Sequence, residues 1–122
     1  MTYRVLIADD NDQVRALIAA VLGSEGYELR HAAHGQAILD DLARRAPDLV
    51  ILDLHMPGID GLGVLTVIRS DPALAATRVL MLSGDTAALD ADWSAQIGAD
   101  AHLAKPFELS ALTDTVRFLL ER

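Results

Sequence analysis

The chain has 122 residues, a net charge of −8 at pH 7 and no cysteine. The lack of cysteine excludes a disulfide framework and a thiolate metal site, and the acidic charge argues against direct binding to nucleic acid, which needs a basic face. No apolar run approaches the roughly 20 residues that cross a membrane, and MTYRVLIADD lacks the pattern of a signal peptide. We therefore expect one cytoplasmic domain over residues 1–122, with no membrane contact.

Short apolar segments alternate along the chain with segments of helical periodicity. The predicted strands are residues 3–9, 27–32, 48–54, 78–84 and 101–105. The predicted helices are residues 12–26, 35–46, 62–70, 86–97 and 108–122. Five strand–helix units in regular alternation predict a doubly wound α/β fold, in which a parallel sheet carries helices on both faces.

Local signals refine some of these elements. Asn11 or Asp12 is suited to cap the first helix, and Gly23 or Gly26 is suited to end it. The second strand, YELRHA, is more polar than the others, which favours a position near an edge of the sheet. The third strand, DLVILDL, is a continuous apolar run, as is typical of a strand covered on both faces.

Polar side chains stand at the carboxyl ends of four predicted strands, where ligands bind in open parallel sheets. The first strand ends in Asp9 and Asp10, the third in Asp53, the fourth in Ser83 and the fifth in Lys105. If the first and third strands are neighbours, the three carboxylates lie within a few ångströms of each other. The sequence therefore predicts one rim with three carboxylates, a hydroxyl and an ammonium.

Lys105 is the only lysine of the chain, beside nine arginines. Three carboxylates this close repel one another strongly, and two groups can offset the repulsion. Mg²⁺ is suited because it binds through one or two carboxylates plus a substrate phosphate, and a compact ammonium can reach across the rim. A carboxylate that attacks phosphorus in such surroundings forms an aspartyl phosphate, with the cation and ammonium neutralising the phosphoryl oxygens.

Four segments in order give the chain a resemblance to a known family. LIADDN (6–11), LVILDLHMPGIDG (49–61), VLMLSG (79–84) and GADAHLAKPF (98–107) resemble the motifs of response-regulator receiver domains in two-component signalling. Each segment alone is a weak indicator of the family, but the four together, in order and at the matching strand ends, are a specific one. The resemblance implies a five-stranded sheet of order 2-1-3-4-5 with five helices, the flavodoxin-like receiver fold.

The resemblance also implies a role for each residue at the rim. Asp53 would be the phosphoacceptor and a Mg²⁺ ligand, with Asp10 as a direct ligand and Asp9 as a partner through water. The backbone carbonyl of His55 would be a further ligand. The remaining implied roles are a switch hydroxyl on Ser83, a phosphate-binding ammonium on Lys105, and a turn after the fifth strand at Pro106, with a cis bond plausible there.

The sequence departs from the family pattern in two respects, one at His102 and one at the pair His55 and Asp85. His102 stands where receivers usually have tyrosine or phenylalanine, the aromatic ring that moves inward with the switch hydroxyl. Its imidazole can gain charge near neutral pH, so signal output could be weakened or pH-sensitive, although an exposed polar side chain is an equal alternative. In the family, the positions of His55 and Asp85 flank the phosphoryl site, so we expect the two side chains to pair and to modulate hydrolysis of the acyl phosphate.

The resemblance implies a phosphorylation-dependent switch. A sensor histidine kinase or phosphotransfer protein would donate the phosphoryl group, and the face of the fourth helix, fifth strand and fifth helix would change its downstream partner or effector domain. Self-dephosphorylation would be the only turnover, so we do not expect another enzyme activity. One alternative is a receiver-like scaffold that is not phosphorylated. A second alternative is a metal-dependent phosphatase or a flavin-binding protein with the same kind of sheet. The sequence is compatible with a monomer and with a phosphorylation-dependent dimer.

Overall fold

The computed structural model describes residues 2–56, 58–84 and 98–121. Its sheet has five parallel strands in the order β2-β1-β3-β4-β5, which confirms the expected order and puts β2 at an edge. The strands are β1 (Arg4–Ala8), β2 (Glu28–Ala32), β3 (Leu49–Asp53), β4 (Arg78–Ser83) and β5 (Ala101–Ala104).

Helices follow the strands as the periodicity predicted. They are α1 (Asp12–Gly23), α2 (Gly35–Arg44), α3 (Gly61–Ser70) and the C-terminal helix (Leu109–Glu121), with a short 3₁₀ helix at Pro72–Leu74. The predicted helix over residues 86–97 lies outside the described residues. Among the helices that are described, none is long and apolar enough to cross a membrane.

Side-chain caps start three of these helices just after the carboxyl ends of strands. The Asn11 side chain accepts hydrogen bonds from two backbone N–H groups of α1, so Asn11 and not Asp12 is the cap, and the helix ends at Gly23. His34 Nδ1 and the Asp60 carboxylate cap α2 and α3 in the same way. Each cap satisfies N–H groups that the first helical turn leaves unpaired, which orders the loops around the rim.

The sheet separates two apolar cores. Alternate residues of the strands pack against α2 and α3 on one face, as Leu6, Val50 and Met81 do. The intervening residues, such as Ile7 and Ile51, pack against α1 and the C-terminal helix on the other. All five residues of β3 are buried, as its continuous apolar run predicted, so this strand is a rigid support for whatever stands at its end.

Strand register brings the carboxyl ends together. Ala8 pairs with both Ala32 and Leu52, and Ser83 pairs with Ala104. Residues just beyond these pairs therefore share one edge of the sheet, where Asp9, Asp53 and Lys105 project.

Candidate functional site

The Lys105 ammonium lies between two buried carboxylates. Lys105 Nζ donates to Asp9 Oδ2 at 2.8 Å and lies 3.3 Å from Asp53 Oδ1. Asp9 is 1% exposed and Asp53 is 3% exposed, so these charges are largely removed from water. The structure thus brings together the ends of β1, β3 and β5, as the sequence predicted.

The two adjacent aspartates after β1 differ in environment. Asp9 is buried and its Oδ1 accepts a hydrogen bond from the Asn11 N–H at 2.9 Å, whereas Asp10 is exposed to solvent. Arg15, one turn into α1, donates to the Asp9 carbonyl and pairs with Asp12. We did not predict this contact of Arg15; the spacing of Asp12 and Arg15, which is favourable for an ion pair on a helix, was the available signal.

The carboxylate oxygens of Asp9, Asp10 and Asp53 fit a divalent cation. One oxygen from each lies within 4.8 Å of the others, and no second such group of ligating side chains exists among residues 2–56, 58–84 and 98–121. Two oxygens bound to one Mg²⁺ at about 2.1 Å lie at most about 4.2 Å apart, so small movements would let all three share an ion, directly or through water. Hard oxygen donors are also the ligands that Mg²⁺ prefers.

Asp53 is in an unfavourable electrostatic position. Burial and the neighbouring Asp9 carboxylate raise the pKa of Asp53 to about 6, while Lys105 and the His55 N–H act in the opposite direction. The His55 N–H donates to Asp53 Oδ1 at 3.3 Å. At neutral pH the carboxylate is therefore mostly ionised, yet destabilised by its surroundings.

The surroundings of Lys105, unlike those of Asp53, favour its charged form. Burial lowers the pKa of its ammonium, but the hydrogen bond to Asp9 and the charge of Asp53 outweigh burial and raise the pKa above its ordinary value. Lys105 therefore stays charged, and one ammonium faces three aspartates. The excess negative charge of the site would therefore attract a further cation.

Backbone contacts hold the neighbouring loops close to Asp53. Gly61 lies so near that an added Cβ would stand 2.3 Å from the Asp53 carbonyl oxygen and 2.7 Å from Leu54 Cα. Ser83 is buried at the end of β4, and its carbonyl accepts from the Lys105 N–H at 2.8 Å. The Lys105–Pro106 peptide bond is cis, in agreement with the family resemblance.

The structure describes two of the three residues that were expected to modulate the site, His55 and His102. The His55 side chain is exposed, and its recorded contact is through the backbone N–H, so a role for its carbonyl as a metal ligand stays a prediction. His102 is partly exposed and pairs with Met81, on the opposite face of β5 from Ala101 and Leu103, which pack toward the C-terminal helix. Asp85 lies outside the described residues, so its pairing with His55 is not tested.

We expect Asp53→Asn to stabilise the metal-free protein at neutral pH. Because folding raises the pKa of Asp53, its contribution to stability is fully present below the ordinary pKa of 3.8 and is lost as pH rises through about 6. The amide avoids that loss, so the variant's gain in unfolding free energy should grow from near zero at pH ~4 to roughly 2 kcal/mol at pH ~8.

Urea unfolding in EDTA at the two pH values measures this gain. Asp114→Asn, which changes an exposed aspartate on the C-terminal helix, is the matched control and should show no such trend. A gain for Asp53→Asn that is the same at both pH values would contradict the burial and repulsion described above.

Comparison with known proteins agrees with this geometry. The family model of the response regulator receiver domain matches residues 5–117. Sporulation initiation phosphotransferase F of Bacillus subtilis (strain 168) is 32% identical over 117 residues, covering 96% of this chain and 93% of that protein. The DNA-binding response regulator MtrA of Mycolicibacterium smegmatis (strain ATCC 700084 / mc(2)155) is 33% identical over 122 residues, and this chain spans about half of it, 52%.

Solved structures show the same fold. A crystal structure of a provisionally assigned response regulator from Chloroflexus aurantiacus J-10-fl has a TM-score of 0.92 and 36% identity, with 100% of both chains covered. Because the family model covers nearly the whole chain and the strand order agrees, this protein belongs to the response-regulator receiver domain family of two-component signalling.

Proposed function

We propose that this receiver domain is a phosphorylation-dependent switch in which Asp53 accepts a phosphoryl group from a histidine kinase or phosphotransfer protein. The observation that carries the proposal is the buried Asp53 carboxylate, set against two other aspartates and bridged to Asp9 by the only lysine. Two buried carboxylates and an exposed third one beside a single ammonium repel one another, and this repulsion is unfavourable unless the site binds further positive charge.

The transfer needs a nucleophile and charge neutralisation. The ionised oxygen of Asp53 attacks phosphorus in a phosphohistidine, a P–O bond forms as the P–N bond breaks, and the imidazole leaves with the electron pair and takes up a proton. Lys105 Nζ, now 3.3 Å from Asp53 Oδ1, neutralises a phosphoryl oxygen. A Mg²⁺ held by Asp10, Asp53 and the His55 carbonyl, with Asp9 through water, would supply further neutralising charge.

Phosphorylation would then change the neighbouring strands. We propose that Ser83, which is buried at the end of β4, donates a hydrogen bond from its hydroxyl to a phosphoryl oxygen. We also propose that Lys105 moves away from Asp9 toward the phosphoryl group. The readout surface is proposed to include β5, the C-terminal helix and residues 86–97, with His102 in place of the usual aromatic ring. A switch of this kind shifts the population between two states, because only one of them bonds the phosphate.

Partners follow from the family. Response regulators interact with histidine kinases or phosphotransfer proteins, and we propose such a donor for this chain in the cytoplasm, with self-dephosphorylation as its only turnover. The comparisons do not support the expectation of no nucleic-acid contact, because MtrA is a DNA-binding regulator and this chain spans only about half of it. The acidic charge argues against DNA contact by these 122 residues alone.

A small-molecule phosphodonor tests the proposal. With Mg²⁺ present, we expect intact-mass spectrometry to show one added phosphoryl group on the wild type and on Asp114→Asn, and none on Asp53→Asn. EDTA should abolish the addition, because the repulsion at the site would then be uncompensated. An unmodified wild type under these conditions would favour the alternative, a scaffold that is not phosphorylated.

His55 should affect how long the phosphate persists. The family resemblance implies that position 55 lies beside the phosphoryl site, where an imidazole can limit the approach of water. The side chain of His55 is exposed and its backbone N–H bonds to Asp53, which is compatible with that role. We predict that His55→Ala changes the dephosphorylation rate several-fold, measured by the decay of the phosphorylated mass after the donor is removed. His31→Ala, which removes an exposed histidine on β2, is the matched control. An unchanged half-life in His55→Ala would refute a modulating role.

A further inference from the structure

Lys105 reaches the site from an edge strand that is only partly buried. β5 has only four residues, none of them buried, and lies at the edge of the sheet. By contrast, all five residues of β3, which delivers Asp53, are buried. Apolar packing therefore specifies the position of β5 along β4 only weakly. Because Ala101 and Leu103 pack only partly against the apolar core, polar contacts can contribute to the position of Lys105.

Asp100 makes a reciprocal pair of hydrogen bonds at the start of β5. Its N–H donates to the Val79 carbonyl at 2.9 Å, and its Oδ2 accepts from the Val79 N–H at 2.8 Å. At the far end, the Lys105 N–H donates to the Ser83 carbonyl at 2.8 Å. A side chain that bonds the same residue as its own backbone distinguishes one register from its neighbours.

Arg69 extends this contact to α3. Its Nη2 donates to Asp100 Oδ2 at 2.7 Å and its Nε donates to the Gly98 carbonyl at 2.7 Å. Its Nη1 donates to the Thr77 carbonyl at 2.9 Å, just before β4. One rigid guanidinium thus bonds the segment that enters β4 and the segment that enters β5, a geometry that lysine does not reproduce.

Gly98 permits this approach. It has a φ of 92°, which side chains other than glycine rarely adopt, and an added Cβ would lie 2.9 Å from Arg69 Cγ. The backbone before β5 is therefore shaped around the arginine. The contact is specific and is not a chance pairing of surface charges.

A slip of β5 by one residue would move Lys105 by about 3.3 Å and turn its side chain to the other face of the sheet. Either change would break the 2.8 Å contact between Lys105 Nζ and Asp9. We propose that Arg69 and Asp100 are positioning residues that set the register of β5 on β4 and thereby hold the Lys105 ammonium between Asp9 and Asp53. Only the phosphorylation readout below rests on the proposed function.

The single lysine makes a direct test possible. Biosynthetic labelling with ¹³C-lysine marks Lys105 alone, so one ¹³Cε signal reports the surroundings of the ammonium. Arg69→Ala should move this signal most of the way toward its position in the urea-unfolded chain, at a temperature where circular dichroism shows the variant folded. Arg44→Ala, an exposed arginine in the last turn of α2, should leave it unchanged.

A signal in Arg69→Ala that stays at the wild-type position would overturn the proposal. If Arg69→Ala does not fold, Asp100→Asn provides the same test, because the amide oxygen can still accept from Val79 while the ion pair is lost. This variant should move the signal in the same direction by a smaller amount, and an unmoved signal would again overturn the proposal.

The rate of phosphorylation tests whether Arg69 and Asp100 affect the site through the position of Lys105. With a small phosphodonor, Arg69→Ala should slow the initial rate several-fold in the wild-type background and have no further effect in a Lys105→Ala background. Equal slowing in both backgrounds would show a general structural defect and refute the proposal. If the wild type is never phosphorylated, the proposed function fails, while the lysine signal still decides whether Arg69 positions Lys105.

Discussion

The properties of the site depend on an excess of negative charge at the carboxyl edge of the sheet. Asp9 and Asp53 are buried, Asp10 lies within reach of both, and a single ammonium faces them. Such a cluster is destabilising in isolation, since removing like charges from water costs free energy that one lysine offsets only in part. In the proposed function a divalent cation would offset the excess negative charge of the site, and an anionic phosphoryl group could then approach Asp53.

The fold supplies the rigidity that this cluster requires. Asp53 follows a strand that is buried along its whole length, and Gly61 brings the following loop directly against its carbonyl. Lys105, by contrast, follows a partly buried edge strand that makes polar contacts with Arg69 and Asp100. Packing therefore fixes the position of Asp53, the proposed phosphoacceptor, while the ammonium of Lys105 depends more on hydrogen bonds that can be rearranged. This difference suits a switch, in which one group must stay and another must move.

The sequence could predict those features that depend on local periodicity and on the chemistry of strand ends. The apolar runs located all five strands, and the polar residues after them identified Asp9, Asp10, Asp53 and Lys105 as neighbours. Periodicity alone could not give the strand order, because similar apolar runs do not specify which strands pair; the order came from the family resemblance.

Contacts between residues distant in the chain were missed. Arg69 and Asp100 are 31 positions apart, and nothing in either segment indicates that they meet. Leu109 stands at helical spacing with Leu112, Val116 and Leu119, yet it is 41% exposed because it is the first residue of the C-terminal helix and lies beyond the packed face that the other three form.

Calorimetric titration with Mg²⁺ measures how strongly the aspartates attract positive charge, without any phosphodonor. We expect one Mg²⁺ to bind per chain. Asp10→Asn and Asp53→Asn should each weaken binding at least about tenfold, because each removes a charged ligand, whereas Asp114→Asn should not. Binding that is absent from the wild type, or that is unchanged when Asp53 is replaced, would contradict this expectation.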